Sequence, residues 1–161
     1  MTEKEYNICV TNHADNVFRF IIKNIKHEED ARDIVQTAFE KMWKNREQVE
    51  NEKAKSFLFT VAYNQMIDHI RKNKKVIVAN TVAEDYKVGH QPNFELRKKL
   101  NEALNTLSDL HKSLVLLKDY EGYNYDEIGQ ITGLKESQVK VYLHRARIQL
   151  KEYLGSIEQV L

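Results

Sequence analysis

Apolar residues recur along most of this chain at three- and four-residue steps, the period of an amphipathic helix. Ile8, Val17, Phe18, Ile21, Ile22 and Ile25 approximate such a stripe and predict a core-facing helix over about Glu3 to Ile25. After the acidic break His27-Glu28-Glu29, Asp30 is a good N-cap residue. From there Ala31, Ile34, Val35, Ala38, Phe39, Met42 and Trp43 mark the clearest helix in the chain. The polar stretch Asn45 to Lys53 has no periodicity. Ala54, Phe57, Leu58, Val61, Ala62, Met66 and Ile70 then resume the helical pattern as far as the basic run Arg71-Lys72-Asn73-Lys74-Lys75. Three helices over residues 1–75 predict a compact first domain.

Between Val76 and Asn93 the pattern breaks into mixed residues with Gly89 and Pro92, and no amphipathic face is long enough to pack, so residues 76–93 read as a tether. The second domain, 94–161, opens with Leu96, Leu100, Ala103, Leu104 and Leu107. Ser108 can cap the next helix, in which Leu110, Leu114, Leu117 and Tyr120 lead to a stop at Gly122. Two further helices, Tyr125 to Thr132 and about Glu136 to Leu154, flank Gly133-Leu134-Lys135, the spacing of a helix-turn-helix.

Composition narrows the fold class. Hydrophobic residues at 42% and charged residues at 30% suit a helix-rich protein, and five Gly with one Pro leave little material for a turn-dense β fold, so an all-α protein of two small domains is expected. Cys9 is the single cysteine and the six histidines form no helical pair at ligand spacing, so neither a disulfide nor a metal site is implied. No Gly-rich phosphate loop or nucleophile elbow is visible, which argues against an enzyme, a cofactor or a small-molecule substrate. The opening residues lack a signal-peptide core, and no apolar run approaches the roughly 18 residues that span a bilayer, so no membrane insertion and a cytoplasmic location are expected.

A formal net charge of only +1 means that any nucleic-acid function must rest on local charge. Lys135 through Lys151 supply it, with five cations to one anion. In the helix-turn-helix, Gly133 suits a turn position with positive φ, Gly129 leaves room for close helix approach, and Ile128, Val139 and Leu143 are placed to share a core. The second helix offers Gln138, Lys140, Val141, His144, Arg145 and Arg147 to a major groove and its phosphates; a solvated basic face is the bland alternative. In the first domain, the acids of Glu28-Glu29-Asp30 stabilise a helix N-terminus through its dipole, or form an acidic surface for a basic partner. The third helix mixes Phe57, Phe59, Tyr63 and Asn64 with Asp68, His69, Arg71 and Lys72. Aromatic faces and amide edges hold unstacked bases, and cations track a backbone. Aromatics at helical spacing are more often core, and Phe57 is assigned there.

At this point the chain resembles a family. Asp30-Ala31-Arg32-Asp33-Ile34-Val35-Gln36-Thr37-Ala38-Phe39, followed by Trp43, is similar to the polymerase-binding segment of sigma factor domain two. Ser56-Phe57-Leu58-Phe59-Thr60-Val61-Ala62-Tyr63-Asn64 with Ile67-Asp68-His69-Ile70-Arg71 resembles its promoter-melting segment. Tyr125-Asp126-Glu127-Ile128-Gly129 and Val139-Lys140-Val141-Tyr142-Leu143-His144-Arg145-Ala146-Arg147 resemble the helix-turn-helix of sigma domain four. Two motifs in the right order, without an intervening domain, are similar to the extracytoplasmic-function (ECF) class of the sigma-70 family.

The resemblance implies a non-catalytic initiation subunit that directs core RNA polymerase to promoter DNA, with an anti-sigma factor as regulatory partner. Asp30, Asp33, Gln36 and Phe39 would form the polymerase-binding set, with Asp33 and Gln36 on the clamp helices of the largest subunit. The loop Arg46 to Lys55 and Asn64 would capture a flipped base of the minus-ten element, with Asp68, Arg71 and Lys72 completing that DNA-binding face. Lys140, Val141, His144 and Arg145, with Gln138, would face the minus-thirty-five duplex, and Ser137 and Arg147 its phosphates. The chain departs from the family pattern at Arg32, Thr37, Gly129, Gln138 and Tyr142, the last where a smaller or basic residue is frequent. A stand-alone helix-turn-helix regulator is the competing expectation, and it would require a symmetric dimer on a palindromic duplex.

Overall fold

The residues described by this computed structural model, 1–74 and 94–160, form helices joined by short turns, with no strand among them. They divide into two compact units. The first carries α1 (Glu3–Ile25), α2 (Glu28–Lys44) and α3 (Ala54–Lys74). The second carries α4 (Phe94–Asn105), α5 (Asp109–Val115), the first half of α6 (Tyr125–Thr132) and α7 (Glu136–Val160). The all-α expectation holds. The tether expected over 76–93 lies outside the described residues.

Local chemistry sets the helix ends. Thr2 and Glu5 make a reciprocal capping box at the start of α1, satisfying two of its orphan N–H groups. That helix stops at Lys26, whose left-handed backbone (φ 57) lets its N–H reach the Ile22 carbonyl at 2.8 Å. The N-cap of α2 is His27 rather than the expected Asp30: the ring Nδ1 accepts from the Asp30 N–H at 3.2 Å, and Asp30 is already helical. Ser108 caps α5 as expected, accepting from the His111 N–H at 3.2 Å. Asn124 and Glu127 form a second capping box at α6, with bonds of 2.8 and 3.1 Å.

In the first unit, Val17, Phe20 and Ile21 of α1 meet Ile34, Ala38 and Met42 of α2 and Leu58, Phe59, Ala62 and Met66 of α3, all buried. Phe20 and Phe59 join α1 to α3 with ring centroids 5.6 Å apart. Ile8, expected in the α1 stripe, is 51% exposed. It precedes the buried Cys9 by one residue, about 100° around the helix, which carries it off the core side.

The second unit packs Ala103 and Leu104 of α4, Leu114 and Val115 of α5, Tyr123, Ile128, and Val139, Leu143 and Ala146 of α7, all buried. After Val115 the chain widens into one π-turn, Leu116–Tyr120, closed by the Glu121 N–H on the Leu116 carbonyl at 3.0 Å. Four consecutive residues, Leu114 to Leu117, are buried through this stretch. Gly122 and Gly133 hold positive φ of 76° and 78°, and Gly133 makes the turn between α6 and α7 as its sequence position predicts.

Candidate polymerase and nucleic-acid interfaces

Asp33 and Gln36 lie on the outer face of α2, in one exposed stripe with Glu29 and Glu40 at four-, three- and four-residue steps. Gln36 donates to the Glu40 carboxylate at 3.2 Å. The other two residues of the expected polymerase-binding set lie elsewhere. Phe39 is only 8% exposed and belongs to the core side of the helix. The Asp30 carboxylate faces α3: His69 Nε2 lies 3.3 Å from its Oδ2, as does His27 Nδ1. Periodicity alone could not see this second role for Asp30, because its partner lies 39 positions away in sequence.

On α3, Asn64, Asp68, Arg71 and Lys72 are all exposed and share one face, so the structure brings the expected minus-ten set together. The aromatic residues do not join it. Phe59 and Tyr63 are core residues at 0% and 6% exposure, whereas Phe57, assigned to the core from sequence, is half-buried. Burial pushes the Tyr63 phenol up, against the opposing pull of Arg71. The segment leading into α3 is built rather than loose. The Asn45 side chain donates to the Lys41 carbonyl at 2.8 Å, Val49 is buried, and Asn51–Lys53 form a 3-10 turn. Its entry is held by a stack: the Arg46 guanidinium lies 4.0 Å over Trp43, and Trp43 meets the edge of Tyr6 at 4.8 Å.

Along α7, Ser137, Gln138, Lys140, Val141, His144, Arg145 and Arg147 are all exposed, and Val139, Leu143 and Ala146 on the opposite side are buried. The exposed residues are held differently. The Gln138 side-chain oxygen accepts from the Lys135 N–H at 3.0 Å, closing the helix N-terminus. Lys140 pairs with Glu136 at 3.4 Å and lies 5.5 Å over the Tyr125 ring. Arg147 donates to the Asp119 carboxylate at 2.9 Å. Ser137, Val141 and His144 occupy successive turns of one stripe, which Ile148, 44% exposed, continues.

Sequence reasoning missed Ile148, Lys118 and Asp119. Ile148 carried a helical-spacing signal that could have found it. Lys118, whose ammonium lies 4.9 Å over Tyr125, and Asp119 reach α6 and α7 through the π-turn, which an analysis at period 3.6 does not contain. The departure at Tyr142 has a structural partner in His111 of α5, at a ring distance of 6.0 Å, and His111 Nδ1 lies 3.2 Å from Gln149 Oε1. The α5 helix and its π-turn therefore hold α7 along both edges, leaving the stripe between them open.

Comparison with known proteins assigns both halves. Residues 9–76 match Sigma-70 region 2 and residues 97–150 match Sigma-70, region 4. The chain is 32% identical over 147 residues to the RNA polymerase sigma factor SigV of Bacillus subtilis, covering 88% of this chain and 89% of that one. It is 29% identical over 155 residues to the ECF RNA polymerase sigma factor SigE of Mycolicibacterium smegmatis, covering 91% of this chain and 60% of that longer protein. Its fold is similar to that of the sigma factor RpoE of Bartonella quintana, solved in complex with the anti-sigma factor NepR. That match has a TM-score of 0.77 at 22% identity and covers 94% of this chain and 98% of the other. With a region 2 match and a region 4 match in one chain, this protein belongs to the sigma-70 family of RNA polymerase sigma factors. Within that family it is of the ECF class, a factor that directs RNA polymerase to promoters. Among the described residues, no helix is long and apolar enough to cross a membrane.

Proposed function

We propose that the two halves divide promoter recognition as domain two over residues 1–75 and domain four over 94–161, joined by 76–93 as a tether, and that the chain acts without catalytic chemistry of its own. The observation that carries this reading is a pair of exposed faces on helices whose opposite sides are buried: Asn64, Asp68, Arg71 and Lys72 on α3, and Ser137, Gln138, Lys140, Val141, His144, Arg145 and Arg147 on α7. Asp33 and Gln36 attach the first half to core polymerase. Asn64 and the segment Arg46 to Lys55 receive a base extruded from the minus-ten element, and Arg71 and Lys72 follow the backbone. Each captured base offsets about a few kcal/mol of unstacking, so melting is driven by binding and the polymerase performs nucleotidyl transfer.

The α7 face reads the minus-thirty-five duplex. Val141 offers an apolar contact of the kind a thymine methyl takes, His144 and Arg145 offer donors to base edges, and Ser137 and Arg147 meet phosphates. With its oxygen on the Lys135 N–H, Gln138 has its amide NH₂ left for the groove. A near-neutral chain holds DNA weakly alone; attachment to polymerase raises the effective concentration of both modules. Because RpoE was solved with an anti-sigma factor, a protein regulator that covers these same faces is part of the proposal.

Run-off transcription from a randomised promoter library, with core polymerase from a related bacterium, tests the reading. Initiation at a shared two-element promoter, lost on Asp33→Ala or Arg145→Ala, is the expected result. No stimulation of an active core, together with tight binding to a palindrome by the protein alone, would replace it with the stand-alone regulator.

A further inference from the structure

The Arg147 guanidinium is already partly used before DNA arrives: one Nη2–H donates to Asp119 Oδ1 at 2.9 Å across 28 positions of sequence. The two side chains are 45% and 44% exposed, so as an ion pair they add little to the stability of the fold. The packing of α5 against α7 is carried by apolar residues such as Leu114, Val139 and Leu143, all buried. What the pair does fix is where the guanidinium lies. An unpaired arginine spreads over many rotamers, and ordering it on a phosphate costs binding free energy. A planar guanidinium has five N–H donors, so one bond to a carboxylate leaves others for a second anion.

We infer that Asp119 is a positioning residue for promoter binding: it holds Arg147 at the edge of α7 in the orientation that meets a phosphate of the minus-thirty-five duplex. This rests on the reading of Arg147 as a phosphate contact. Asp119 is available for the role because it lies within the π-turn Leu116–Tyr120, where the chain's register shifts. Its negative charge opposes an incoming phosphate, but that repulsion acts across the width of the guanidinium through water and salt, with a screening length of about 8 Å in physiological salt. The ion pair that orders Arg147 acts at 2.9 Å, well inside that length, whereas the phosphate lies on the far side of the guanidinium, so the ordering outweighs the repulsion and favours binding.

The test uses the full-length chain on core polymerase, with a promoter fragment recovered from the randomised library, and measures affinity between about 50 and 200 mM salt. Asp119→Asn and Arg147→Ala are each expected to weaken binding about five-fold and to lower the salt slope by about 0.9, the value of one phosphate contact. The double variant is no weaker than Arg147→Ala, and Asp119→Glu restores the slope. Arg147→Lys keeps the charge but replaces the planar fork, whose donor directions are fixed, by a compact ammonium on a flexible stem, and it is expected to reproduce the loss even if Asp119→Asn does not fold. If Arg147→Ala lowers the slope while Asp119→Asn and Arg147→Lys leave it unchanged, the positioning role is overturned and the phosphate contact stands. Tighter binding by Asp119→Asn overturns it equally. If Arg147→Ala leaves the slope intact, the assignment of Arg147 to a phosphate falls with it.

Discussion

His69 of α3 brings its Nε2, which also lies 2.9 Å from Asn73 Nδ2, to 3.3 Å from Asp30 Oδ2 on α2, so this acid faces the neighbouring helix of the first unit. Asp33, three residues on, is exposed on the outer face. The two acids should therefore separate when replaced. Asp30→Ala is expected to lower stability by about 0.5–1 kcal/mol, the scale of a partly exposed pair. Asp33→Ala should leave stability within about 0.5 kcal/mol but abolish association with core polymerase. Urea unfolding and a binding assay on both variants check this.

His13 supplies a pH dependence. Among the described residues its Nδ1 is buried without a hydrogen-bond partner, and burial, with Lys55 nearby, lowers its pKa below the ordinary 6.5. The unfolded chain then binds the proton more tightly than the folded one. The stabilisation is present above pH 6.5 and is lost as the pH falls below it towards the folded value. Melting temperatures between pH 7.5 and 5.5 should fall more steeply for the natural chain than for His13→Gln, and equal slopes would remove His13 as the cause.

Gly133→Ala isolates a backbone effect. An added Cβ meets nothing within 4 Å, so sterics against neighbours do not contribute, but the φ of +78° strains any L side chain. A loss of about 1–2 kcal/mol in stability is expected by thermal or urea unfolding.

Gln138 serves the fold and, in the reading proposed above, also the groove, and two substitutions separate those uses. Gln138→Ala removes the bond to the Lys135 N–H and should cost about 0.5–1 kcal/mol. Gln138→Glu keeps an acceptor there and favours the helix dipole, so stability should hold. Its negative charge against the duplex should nevertheless weaken promoter binding, measured by anisotropy with holoenzyme.

Much of this molecule is legible from its apolar spacing, because each helix buries one side. The bounds of α1 and α6, the cap at Ser108 and the turn at Gly133 follow from local chemistry that acts within a few residues. What was not legible depends on partners distant in sequence or on a change of helical register. His27 displaced Asp30 as the cap, Ile8 fell just off its stripe, and α7 runs to Val160 rather than ending near Leu154. Aromatic spacing could not tell half-buried Phe57 from core Phe59 and Tyr63 on the same helix. The pairing of Arg147 with Asp119 depends on the π-turn, and no periodic pattern announces it.

The division of α7 into a buried side, Val139, Leu143 and Ala146, and an open side, Ser137, Val141, His144 and Ile148, has an evolutionary consequence. Substitutions on the open side cost little stability, whereas those on the buried side remove packing. If the open side reads the promoter as proposed, a duplicated copy of this gene could therefore drift towards a different promoter by single steps there while every intermediate remained folded.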